Sequence, residues 1–243
     1  MSSYVALAEW YDRLTGDVPY AEFADFYEAE FRRDGGEFRL LLDLCCGTGT
    51  LTCELARRGY ELIAVDASVD MLMQAQEKAA GLVPSPLFLC QEAGGLDLYG
   101  TVDAAYCSLD GMNYIPPDEL PELFHRLRLF IRPGGLLIFD IRSPEWFRSM
   151  DGQVYVDEQE DVLCLWRADM DEDGQRMSYG MDIFSREGEL WRREGEEHTE
   201  YVYTFEALCT LLEREGFTDT ALRRDGPQGA AGRQFIISKR GND

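Results

Sequence analysis

The segment LLDLCCGTGT at residues 41–50 constrains this chain more than any other ten residues. Residues 38–44 form a dense apolar run that ends at Gly47 and Gly49, the pattern of a strand buried on both faces that turns into a helix. Glycines at such a turn let the chain reverse tightly and let a ligand approach the backbone. The helix that follows aims its free N–H groups at that ligand. A second apolar run, residues 61–66, ends in Asp66, seventeen residues beyond Gly49. A carboxylate there is placed to accept both hydroxyls of an adenosine ribose.

Departures from known patterns narrow the ligand. A dinucleotide fingerprint needs a third small residue where Thr52 stands, and a P-loop needs a lysine that is missing here. Asp43 at the strand end would repel a pyrophosphate but can pair with an ammonium. A ligand that offers a ribose and an α-amino group without phosphate is S-adenosylmethionine.

The rest of the chain alternates strand and helix patterns. A helix is expected within 48–58 and another after Ser68, a good N-cap. Strands are expected at 86–91, 102–107 and 136–141, with a helix from Pro117 to about residue 131 and a turn at 132–135. That density of alternation implies right-handed crossovers and an α/β, doubly wound, mostly parallel sheet. Residues 151–203 break the rhythm: Met177, Tyr179, Met181 and Ile183 alternate on one face between turn signals, which reads as an inserted antiparallel β-sheet. After it come a helix near 205–215 and strands after Gly216 and at 234–238. The expected domains are an N-terminal helical cap over 1–36, an α/β domain over 37–150 and 204–243 that binds the cofactor, and the β insertion over 151–203 on the acceptor side.

These motifs make the chain similar to the class I S-adenosylmethionine-dependent methyltransferases of the small-molecule type, such as the glycine and amino-sugar N-methyltransferases. The resemblance covers 37–141 and 204–240, with cap and insertion matching in outline. It implies a seven-stranded sheet and methyl transfer to a nitrogen or oxygen of a small molecule. Asp43, Gly47 and Gly49 match the first motif, in which Cys45 replaces a glycine, and Asp66 with Ala67 matches the ribose-binding acid. By the same resemblance, Glu92 takes the adenine amino group and Ala93 supplies a backbone N–H. Ser108 and Leu109 face the methionine moiety. Residues 129–137 match the turn before the fifth strand, and 215–217 match the late helix end. Tyr4, Trp10, Tyr11 and Tyr20 in the cap either close over the cofactor or simply pack. The resemblance favours Tyr11 and Tyr20 for closure.

Composition excludes other classes. The formal charge is −23, and residues 151–200 carry sixteen acidic and five basic side chains, a net −11. Such a surface repels phosphate backbones and anionic lipid, so no nucleic-acid or membrane partner is expected. An acidic rim would draw a cationic or amine acceptor; the alternative is plain solubility of an exposed insertion. Seven cysteines form no CxxC pair, which suits free thiols in a reducing cytoplasm rather than disulfides or a metal site. A general base is not evident. His198 and Tyr114 are the weak catalytic candidates, and His125 suits a structural position. Asp110, Asn113 and Tyr114 follow the fourth strand, as site residues or as a polar loop. Trp166, Arg167, Tyr179 and Tyr201 line the acceptor pocket or merely cover the sheet edge. The rival functions are an RNA or protein methyltransferase, a non-catalytic S-adenosylmethionine-binding protein and, more distantly, a nicotinamide oxidoreductase.

Overall fold

Alternating apolar positions along the first strand feed two cores. Leu42 and Leu44 join a cluster with Phe124, Leu127, Phe139, Leu208 and Leu212, while Leu41 joins one with Phe23, Tyr27, Leu55, Ile138 and Phe235 on the opposite face. A strand buried on both faces has no polar side to show, which is why residues 40–44 are almost continuously apolar.

A computed structural model describes residues 7–242; Tyr4 and the start of the expected cap lie outside them. Helices α1 (Leu7–Leu14) and α2 (Tyr20–Asp34) precede β1 (Leu40–Leu44). Then α3 (Thr50–Arg57), β2 (Glu61–Asp66), α4 (Val69–Lys78), β3 (Leu87–Cys90), β4 (Val102–Cys107), α5 (Leu120–Phe130) and β5 (Ile131–Arg142) follow. Helix α6 (Pro144–Met150) leads into β6 (Val154–Glu158), β7 (Val162–Met170), β8 (Arg176–Glu187) and β9 (Leu190–Tyr201). Helix α7 (Phe205–Arg214), β10 (Phe217–Arg223) and β11 (Arg233–Arg240) complete the order.

Seven strands form one sheet in the order β10-β11-β5-β4-β1-β2-β3, with β11 antiparallel to both of its neighbours. The insertion is a four-stranded antiparallel sheet, β6-β7-β8-β9. The doubly wound sheet and the inserted sheet expected from the sequence are both present. Strand order reverses between β1 and β4, and in open α/β sheets ligands bind at the carboxyl ends beside such a point.

Three local expectations need correction. The turn expected at 132–135 is the start of β5, where the register with β4 shifts between Val102 and Ala104. Gly135 lies so close to the neighbouring strand that a Cβ would stand 2.4 Å from the Asp103 carbonyl oxygen. Helix α5 begins at Leu120 rather than Pro117. Helix α6 was not expected, although Ser143 caps it by accepting a hydrogen bond from the Trp146 amide at 3.1 Å, with Pro144 in the first turn.

Sheet β6-β9 packs one face inward. Val162, Cys164, Met181 and Ile183 bury Leu7 of α1, and Ala168, Met177 and Tyr179 bury Phe147 of α6. The register pairs Met181 with Glu196, Tyr179 with His198 and Met177 with Glu200, so these three ionisable residues of β9 share that face.

Gly49 adopts φ +68°, and a Cβ there would lie 2.8 Å from the Ala75 Cβ of α4. Gly49→Ala should therefore destabilise the fold by about 2–4 kcal/mol, combining left-handed strain with overpacking, and urea denaturation measures it.

Candidate active site

A cavity of about 600 Å³ opens at the carboxyl ends of β1, β2 and β4, within the usual range of roughly 300–1,000 Å³ for small-molecule sites. Its floor is the β1–α3 loop. Asp66 holds that loop: its Oδ2 accepts from the Gly47 amide and its Oδ1 from the Ser68 amide, both at 2.8 Å. Burial raises the Asp66 carboxyl above the ordinary carboxylate range, against the pull of those amide bonds. Gly47 sits at φ +53°, with open space where a Cβ would be, so its backbone faces the cavity. Cys45 takes φ +57°, the left-handed conformation that glycine adopts without strain, and its thiol lies against that of Cys107.

Asp43 lies beneath the loop. Its Oδ2 accepts from the Thr52 hydroxyl at 2.5 Å, and the Tyr106 hydroxyl stands beside it. Burial pushes this carboxyl up to about 7, Thr52 and Tyr106 pulling it down and Asp66 pushing it further up.

The wall after β4 is strained and braced. Leu109 and Asp110 both have positive φ, 56° and 59°. Their amides donate at 2.9 Å to the two carboxylate oxygens of Asp140, which is fully buried. Arg233, 2% exposed, bonds both Asp140 and Asp110, the latter at 2.7 Å. Burial opposes the charge on Asp110, but Arg233 and Arg142 outweigh it and hold its carboxyl below the usual range. Next in the wall, Ser108 shares a 2.5 Å hydrogen bond with the Tyr27 hydroxyl of α2.

Helix α1 borders the cavity through Tyr11 and is tied on both sides of that residue. At its first residue, the Leu7 amide donates to Glu196 Oε1 at 3.1 Å. Further along, Asp12 accepts from the Thr48 hydroxyl at 2.6 Å and pairs with Lys78 at 2.5 Å. Tyr11 is thereby held against the cavity, where burial raises its hydroxyl far above an ordinary phenol. Beyond β4, Tyr114 lines the cavity with its ring edge-on to His198, centroids 6.2 Å apart.

The model of a methyltransferase domain family matches residues 41–135. A protein of Bacillus subtilis named "Putative methyltransferase YqeM" is 30% identical over 219 residues, 88% of this chain and 86% of its own length. A solved S-adenosylmethionine-dependent methyltransferase from Clostridium acetobutylicum is 28% identical, covers 98% of this chain and 99% of its own, and superposes with a TM-score of 0.83. The chain belongs to the class I S-adenosylmethionine-dependent methyltransferases. In fold alone, it is also similar to the sugar N-methyltransferase KedS8 from Streptoalloteichus, at 19% identity, 99% and 94% coverage and a TM-score of 0.82.

Of the residues singled out in this methyltransferase's sequence, Tyr11, Tyr20, Asp43, Cys45, Gly47, Asp66, Ala67, Glu92, Ala93, Ser108 and Tyr114 all line the cavity. Gly49 does not; its missing side chain admits α4. His198 is 3% exposed and pairs with Glu196 at 3.0 Å behind Tyr114 rather than in the cavity wall. Asn113 is a brace: its amide donates to the Tyr201 carbonyl at 2.8 Å and its carbonyl accepts from the Arg142 amide at 3.0 Å. Trp166 and Tyr179 pack within the inserted sheet, Tyr201 packs against the main core, and Arg167 pairs with Asp182 at 2.6 Å, so none of the four lines the cavity. His125 is half-exposed on α5, 3.4 Å from Glu215.

Sequence reasoning missed the Asp140–Arg233 pair and Glu200. Glu200 is 4% exposed, and its position two residues beyond His198 on a strand that faces Met177 and Tyr179 was the available signal.

Arg233→Leu should cost about 3–5 kcal/mol in stability, because it leaves the buried Asp140 without its counter-ion and Asp110 with Arg142 alone, and urea denaturation at neutral pH reads the loss.

Proposed function

We propose that the enzyme transfers a methyl group to the nitrogen or oxygen of a small-molecule acceptor, with residues 37–150 and 204–243 holding the cofactor and residues 1–36 and 151–203 enclosing the acceptor. The observation that carries this reading is the cap: α1, which borders the cavity through Tyr11, is tied to the inserted sheet through Glu196 and to the β1–α3 loop and α4 through Asp12, an enclosure that favours a small acceptor over a polymer. The same fold in KedS8, a sugar N-methyltransferase, and in CalS10 from Micromonospora, an amino pentose methyltransferase, supports it.

The cofactor supplies an electrophilic methyl on a sulfonium. The residues present suit it. Asp66 is a fixed, buried carboxylate beside the open backbone of Gly47, suited to a ribose diol, with Ala67 beside it. Glu92 and Ala93 offer a carboxylate and an amide to the adenine edge. Asp43, next to the Cys45–Gly47 loop, offers the counter-charge for an α-ammonium. Ser108 lines the methionine side, Tyr11 and Tyr20 cover the site from the cap, and Gly49 acts by letting α4 approach. Methyl transfer is an in-line displacement, so confinement and orientation of the acceptor supply much of the rate.

Calorimetry with S-adenosylhomocysteine tests the cofactor half. Asp66→Ala should weaken binding by about 1–3 kcal/mol through lost charged hydrogen bonds, and unchanged affinity removes Asp66 from the site.

The Asp43 carboxyl, displaced upward to about 7, is protonated over part of the range where an ordinary aspartate is ionised. An incoming ammonium favours the ionised form, so binding below pH 7 must release that proton. Affinity for S-adenosylhomocysteine should therefore rise with pH up to about 7, by at most about tenfold per unit, and level off above it. Asp43→Asn, which preserves the contact with Thr52, should bind more weakly and lose most of this slope.

A screen with labelled S-adenosylmethionine against small amines, amino sugars, phenols and bulk RNA tests the acceptor half. Label in an amine, amino sugar or phenol is the expected result. Label in RNA, or cofactor binding without transfer to any small acceptor, overturns it.

A further inference from the structure

On the inward face of β9, where β7 and β8 place Ala168, Met170, Met177 and Tyr179, the chain instead carries His198 and Glu200. Glu200 is 4% exposed, and its Oε2 has no hydrogen-bond partner among the described residues. The Tyr114 hydroxyl hydrogen-bonds the Glu200 carboxyl, and Tyr114 lines the cavity. Tyr114 thus links this carboxyl to the cavity in which, on the reading above, the acceptor lies. A buried carboxylate with an open bonding position is costly, so Glu200 calls for a role beyond packing.

We propose that Glu200 is a positioning residue for proton removal, acting through Tyr114 to take up the proton that an ammonium acceptor must lose before its nitrogen is methylated. This rests on the small-molecule reading above and narrows the acceptor to an amine that arrives protonated. The transfer balances as a relay: the ammonium N–H bond breaks and its proton passes to the Tyr114 oxygen, while the Tyr114 proton passes to the Glu200 carboxylate. The nitrogen keeps the electron pair and becomes the nucleophile.

The surroundings fit a proton acceptor. Asp110, in the loop after β4, faces Glu200 with like charge; Arg142 of β5 and Arg233 of β11 face it with opposite charge. The Tyr179 hydroxyl of β8 is near it, and His198 is its neighbour along the same face of β9. Burial, then Asp110, drives the carboxyl well above its ordinary range, and Arg142, Tyr114 and Arg233 draw it back. A carboxyl with raised proton affinity is better matched to an ammonium than a surface glutamate is.

Infrared difference spectroscopy of the complex with S-adenosylhomocysteine reads the buried carboxyl directly. The expected result is a protonated-carboxyl band that titrates above the usual carboxylate range, vanishes in Glu200→Gln and shifts in Tyr114→Phe. Absence of the band, or indifference to Tyr114→Phe, overturns the proposal. Kinetics gives the second readout, with whichever amine the wild type methylates. Glu200→Gln should lower kcat roughly ten- to hundredfold below the pKa of that amine. The loss should shrink as pH rises and the free amine becomes available, with cofactor affinity unchanged and partial rescue by Glu200→Asp. A loss independent of pH marks a merely structural residue and overturns the proposal. If S-adenosylhomocysteine binds but no amine is methylated, the small-amine reading itself falls; a missing infrared response with amine transfer intact removes Glu200 alone.

Discussion

The cavity keeps its shape because two carboxylates near the carboxyl ends of strands grip backbone amides of the loops that cross them. Asp66 at the end of β2 bonds Gly47 and Ser68, and Asp140 near the end of β5 bonds Leu109 and Asp110. Both loops contain left-handed residues that are not glycine or border a left-handed glycine, conformations that persist only where surrounding bonds over-determine them. The two carboxylates differ in their compensation. Asp140 is buried with Arg233 as its counter-ion, whereas Asp66 borders the cavity and rests on amide dipoles. That contrast leaves Asp66 with bonding capacity toward a ligand and commits Asp140 to the wall.

The cofactor half of this arrangement is legible in the sequence because it is local. Strand, glycine turn, helix and acid follow one another within residues 41–66, and the backbone geometry leaves few alternatives for each. Glu92 and Ser108, given by the resemblance to the family rather than by this local logic, line the same cavity. What stayed hidden depends on pairs distant in sequence. Asp140 and Arg233 are 93 residues apart and meet because β11 inserts antiparallel beside β5. Gly49 resembles a ligand-binding glycine in any linear reading, and its closeness to Ala75 emerges only once α4 has folded back. His198 could face either way until the register of β9 with β8 fixed its side.

Register also alters the meaning of the acidic insertion. A net −11 over residues 151–200 suggests a solvated surface or a rim attractive to cations. Part of that charge is spent or turned inward: on the outer face Asp182 is consumed by Arg167 and Arg193, while on the inner face Glu196 meets the α1 amide and His198, and Glu200 lies behind Tyr114. The exposed remainder serves solubility well enough. Glu196 and Glu200 sit in a low dielectric, where each charge counts for more than a screened surface carboxylate.

Helix α1 joins these levels. Eight residues are too few for a helix to be stable by itself in water, so its order depends on what it touches. Leu7 is buried in the inserted sheet, while Asp12 reaches the β1–α3 loop and Lys78 of α4. One short helix thus couples the acceptor-side sheet to the loop beneath the cofactor site. Any motion that admits a ligand past Tyr11 must loosen one of those two attachments. The Asp12 attachment is the weaker, being a partly exposed set of polar bonds, whereas the Leu7 side combines buried apolar area with an amide–carboxylate bond. On that comparison the attachment to the β1–α3 loop and α4 is the one that loosens at the lower cost.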